Sequence, residues 1–94
     1  MEPRELLSRL VALAEEAGIA VRIARAGDGE LPLRSGLCRV RERLLLVVSA
    51  AEPVEARIEA VAAALRAHGG AALEERFLPP AVRERLERAG PGSR

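Results

Sequence analysis

The run Leu44-Leu45-Leu46-Val47-Val48 constrains this chain more than any other stretch. It has no polar alternation, so as a strand it must be covered on both sides or lie at the centre of its sheet. The remaining residues have to supply its neighbours and its cover. With 94 residues in all, that means one small domain and one thin core, with no room for two lobes and a cleft between them.

The flanking segments carry matching signals. Ile19 to Arg25 alternates, with Ile19, Val21 and Ile23 pointing one way and Ala20, Arg22 and Ala24 the other, which predicts a half-buried strand. Leu37 to Val48 predicts a β-hairpin in which Cys38 and Val40 share the core face and Leu37, Arg39 and Arg41 the opposite one. Its turn falls near Glu42-Arg43, where neither residue readily takes positive φ. Between strand and hairpin, Ala26 to Ser35 contains Gly27-Asp28-Gly29 and Pro32 and reads as a turn or open loop.

Three helices are expected around these strands. Pro3 to Ala17 places Leu6, Leu10, Leu13 and Ala17 on one stripe, with Pro3 suited to a first turn and Gly18 to a helix end. Pro53 to Ala67 aligns Val54, Ile58, Val61 and Leu65, flanked by alanines that permit close approach, and Gly69-Gly70 ends it. Phe77-Leu78-Pro79-Pro80 leads into a short third helix with Val82, Leu86 and Ala89 inward. The predicted fold is a single α+β domain over residues 1–90 in α-β-β-β-α-α order, with helices packed on a three-stranded, mainly antiparallel sheet. Residues 91–94 are expected to form a frayed tail.

Composition excludes several functions. All 15 basic residues are arginine, and Lys, Asn, Gln, Thr, Trp and Tyr are absent, a pattern expected of a GC-rich genome. The chain therefore has no lysine for Schiff-base chemistry, no tyrosine for proton transfer and no side-chain amide for reading base edges. Phe77 alone cannot build a stacking platform, and 15 basic residues against 14 acidic leave no global field, so nucleic acid is not an expected partner. No apolar run approaches the ~18 residues of a membrane span, and Met-Glu-Pro-Arg-Glu does not begin a signal peptide. A lone Cys38 excludes an intrachain disulfide and suits the reducing cytoplasm.

Few residues are candidates for chemistry. His68, the only histidine, falls where a cation meets the negative end of a helix, and no second histidine supports a metal role. Cys38 reads either as a buried small hydrophobe or, flanked by Arg34, Arg39 and Arg41, as a reactive thiol. Arg22, Arg39 and Arg41 can fall together on one sheet face, where guanidiniums could bind phosphate or carboxylate. The alternative is a solvated face whose arginines pair with acids such as Glu30 or Glu42. Gly27-Asp28-Gly29 lacks the ending of a phosphate loop. The acid pairs Glu15-Glu16, Glu55 with Glu59, and Glu74-Glu75 each fit a wet helix face or surface turn.

Ser35-Gly36-Leu37-Cys38-Arg39-Val40-Arg41, the strand Leu44 to Val48, the helix from Pro53 and the closing Phe77-Leu78-Pro79-Pro80-Ala81-Val82-Arg83 together resemble a group of small bacterial proteins. That group begins a strand with glycine-leucine-cysteine-arginine and enters its last helix through leucine-proline-proline; the resemblance implies no activity. The order helix, strand hairpin, helix is also similar to small zinc peptidases of the repressor-cleaving kind. Their second helix carries His-Glu-x-x-His, whereas this one reads Ile58-Glu59-Ala60-Val61-Ala62-Ala63-Ala64-Leu65 and lacks both histidines. The expectation is a non-catalytic cytoplasmic interaction or helper domain, with no cofactor or metal, acting on a protein partner or as a homodimer. An anion-binding module at Arg22, Arg39 and Arg41, or thiol chemistry at Cys38, stands as the alternative.

Overall fold

The apolar run becomes the middle strand. A computed structural model describes residues 1–25, 35–70, 73 and 77–89. Its elements are α1 (Pro3–Glu16), β1 (Ala20–Ala24), β2 (Gly36–Val40), β3 (Arg43–Ser49), α2 (Val54–His68) and a last helix, α3 (Pro80–Arg88). The strand order is β1-β3-β2, so β3 has a neighbour on each side. This is the α+β domain in α-β-β-β-α-α order that the sequence predicts. The sheet is mixed: β2 pairs antiparallel with β3, and β1 pairs parallel with it. The loop and tail expected at residues 26–34 and 91–94 lie outside the described residues.

All three helices lie on one side of the sheet. From β3, Leu46 and Val48 enter the core, joined by Leu10, Leu13 and Ala14 of α1, Ile58, Val61, Ala62 and Leu65 of α2, and Val82 and Leu86 of α3. The α2 stripe is the middle of this cluster: Ile58, Val61 and Leu65 are fully buried, and Val54 is half-buried at its start. Burial of a side chain of this size contributes roughly 1.5–3 kcal/mol. Alanines 62 and 64 are buried beside the stripe, letting α2 lie against both α1 and the sheet. Arg85 of α3 binds Glu55 at 2.8 Å and approaches Glu59 at 3.9 Å, so this acid pair holds one helix to another. Gly18, at φ +91°, turns the chain from α1 into β1.

The register reverses the expected faces of β2. Leu37 pairs with Leu46, which points to the helices, so Leu37 packs inward and Cys38 and Val40 point away. Cys38 is exposed, not buried on a core face. The cause lies in β3, whose unbroken apolar run does not mark which of its sides faces the helices: Leu46 and Val48 do, so Leu37, opposite Leu46, and Arg39, opposite Leu44, lie on that side. The turn is one residue earlier than expected, a shift that leaves the faces of β2 as they are. Val40 pairs with Arg43, leaving Arg41 and Glu42 as the two turn residues. Both have positive φ, 51° and 68°, as a type I′ hairpin turn requires. The pairing of β2 with the buried β3 holds two non-glycine residues in a conformation that their own chemistry disfavours.

A polar latch fixes the other end of the sheet. The Ser35 N–H donates to Glu52 Oε1 at 2.7 Å, and the Ser49 N–H donates to Ser35 Oγ at 2.8 Å. Ser49 Oγ accepts from the Ala51 N–H at 3.2 Å, and Arg57 Nε donates to the Glu52 carbonyl at 2.9 Å. The entry to β2, the exit of β3 and the first turn of α2 are thus tied together.

Candidate functional site

Alternation of side chains across a strand gives the sheet a second face, opposite the helices. In register on that face are Ala20, Arg22 and Ala24 of β1, Arg43, Leu45, Val47 and Ser49 of β3, and Gly36, Cys38 and Val40 of β2. None of these residues belongs to the core cluster. Ala24 and Ser49 are buried at one end, Leu45 and Val47 are half-buried in the middle, and Val40 is 48% exposed. No described helix covers this face.

The three arginines proposed for anion binding are divided among places. Arg22 lies on the helix-free face beside Val47, Arg39 lies on the helix side opposite Leu44, and Arg41 occupies the turn. Strand β3 separates Arg22 from the other two. Arg43 was not singled out by the sequence, and it accompanies Arg22 on the face that no described helix covers. Its signal was present: if Leu46 faces the core, residues 43, 45 and 47 must face the other way. All four arginines are exposed, and none has a carboxylate partner among the described residues.

The near-zero net charge conceals an uneven distribution. The three helices contain seven arginines and seven glutamates, whereas the strands and hairpin turn contain Arg22, Arg39, Arg41 and Arg43 against Glu42 alone. The sheet is therefore a basic layer on a neutral helical one, with an apolar centre at Leu45 and Val47.

Hollows lie beside the sheet and between the helices among the described residues. One lies beside β1 and is lined by Arg4, Leu7, Ser8, Val11, Ile23, Val48 and Arg57. Another lies between α1 and α3, where Phe77 is 85% exposed next to Leu13, Leu78 and Val82. His68 is exposed at the end of α2, as the sequence suggests, and no three potential metal ligands converge among the described residues. Gly27-Asp28-Gly29, Glu30, Arg34 and Glu74-Glu75 lie outside those residues. No described helix is long and apolar enough to cross a membrane. Comparison with protein-family models, curated proteins and solved structures yields no match, and what the domain does must be argued from its own residues.

Proposed function

We propose that this chain is a non-catalytic interaction domain that binds another protein through the helix-free side and edges of its sheet. The observation that carries this reading is the sheet itself: among the described residues it has three strands with two unpaired edges, and a face whose half-buried Leu45 and Val47 lie among exposed Val40, Cys38 and Ala20. Apolar residues gathered on one sheet face, ringed by charge, are what an interaction surface requires. An exposed free thiol suits the reducing cytoplasm as its place of action. The dispersed arginines favour this reading over an anion site, which needs convergent guanidiniums.

Site-specific photo-crosslinking in cells of the source organism tests it. A photoreactive residue at Val40 or Ile23 is expected to give discrete protein adducts, while one at Arg83, on the wet side of α3, gives none. An adduct of twice the chain mass would identify the partner as a second copy. Absence of adducts at the sheet positions, or equal adducts at Arg83, would overturn the reading.

A further inference from the structure

We infer that the free edge of β1 accepts an extended partner segment, added as a fourth strand, in which apolar residues alternate with acidic ones. This rests on the interaction reading above and names the occupant. Among the described residues, β1 has a neighbour on one side only. The Ala24 carbonyl accepts from the Ala50 N–H at 2.8 Å, on the β3 side. Backbone groups alternate along a strand, so the N–H and C=O of Val21 and Ile23 point outward, unpaired among the described residues. A row of such groups is a template for a further strand, with main-chain hydrogen bonds giving affinity and alternate side chains giving specificity.

The two sides of this edge differ. On the helix side, Ile23 is 43% exposed and lines a hollow with Leu7, Val11 and Val48, which suits apolar side chains. On the other side stands Arg22, exposed and without a carboxylate partner among the described residues. Arg4 and Arg57 border the hollow and likewise have no acidic partner among the described residues. An added strand sends successive side chains to opposite faces, so one set meets the hollow and the other meets Arg22. Apolar alternating with acidic is the pattern that satisfies both.

Other occupants fit less well. In the antiparallel pairing of two copies that overlaps the whole of β1, Arg22 of one copy stands opposite Arg22 of the other, and like charges placed opposite are destabilising. A nucleic acid strand has no side chain for the hollow, and Phe77, the only aromatic, is at the α1–α3 groove. On the helix side of the β2 edge stand Leu37, which already packs against the core, and exposed Arg39, so that edge suits apolar side chains less well.

The test uses the whole chain and a fluorescently labelled peptide of alternating glutamate and valine, about eight residues long, the size of an ordinary strand. Its controls are a peptide of the same composition with the residues in two blocks, an alternating arginine–valine peptide and a single-stranded oligonucleotide. Saturable binding of the alternating acidic peptide alone is expected, with slowed amide exchange at Val21 and Ile23. Arg22→Glu should weaken binding about tenfold and Arg83→Glu leave it unchanged, with circular dichroism confirming that both variants fold. Equal binding of the block peptide or the oligonucleotide would overturn the inference, as would protection at β2 in place of β1. No binding at all would also overturn it. The crosslinks at Val40 would then still decide the interaction reading separately.

Discussion

Arg22 of β1 and Val47 of β3 are partners in the parallel register, a guanidinium side chain next to a half-buried valine on the face no described helix covers. A structural arginine would have a carboxylate or a carbonyl to hold; Arg22 has no carboxylate partner among the described residues. Arg22→Ala should therefore change unfolding stability by less than ~0.5 kcal/mol, as surface substitutions without partners do. Chemical denaturation measures this directly. A loss well above ~1 kcal/mol would make Arg22 part of the scaffold and remove it from the site.

The α2 stripe should respond in the opposite way. Ile58 and Leu65 are fully buried between α1, the sheet and α3. Ile58→Ala or Leu65→Ala should cost ~2–5 kcal/mol, a large part of the ~5–10 kcal/mol a small domain has. Ala63 is half-buried on the same helix, so Ala63→Leu should cost ~1–3 kcal/mol through overpacking. Urea titrations of the three variants give both figures.

The hairpin turn is a place where the chain can be improved. Arg41 and Glu42 both hold left-handed φ, which costs non-glycine residues about 1–2 kcal/mol each. Asn and Gly suit a type I′ turn. The double replacement Arg41→Asn with Glu42→Gly should raise stability by about 1–2 kcal/mol. An unchanged or lower denaturation midpoint would mean that the turn residues make compensating contacts.

Glu52 is expected to matter more than its position in a loop suggests. Its Oε1 accepts from the Ser35 N–H at the entry to β2. Glu52→Ala leaves that donor without its acceptor, which costs ~1–3 kcal/mol. Amide exchange at Ser35 should accelerate along with the loss of global stability, and acceleration there alone would show a local latch only.

The helices, the strands and their order were legible because each carries its own period and its own terminators. Leu6, Leu10 and Leu13, or Ile58, Val61 and Leu65, leave no other reading of the inward side. The faces of β2 were not legible, since they follow from which side of β3 is inward, and the unbroken run Leu44 to Val48 has no alternation to mark it. Taking the wrong side of β2 as inward puts Cys38 inside and groups Arg39 with Arg22. The position of the turn was hidden as well, because Arg41-Glu42 carries no glycine or asparagine to mark it. The parallel pairing of β1 with β3 was hidden for a related reason: it joins segments far apart in sequence, and alternation in β1 alone names neither its neighbour nor its direction. Charge segregation was masked by a total close to zero.

The most direct measurement of the central claim compares two charge reversals in the same chain. Arg22→Glu changes the basic sheet beside β1, and Arg83→Glu changes an exposed arginine on α3, away from the sheet. The partner captured by crosslinking from Val40 or Ile23 is titrated against both variants and the unaltered chain at low and moderate salt. The account predicts that Arg22→Glu loses about tenfold in affinity and part of the salt dependence, while Arg83→Glu binds as the unaltered chain does. Equal affinity of the two variants, or a loss confined to Arg83→Glu, would contradict it.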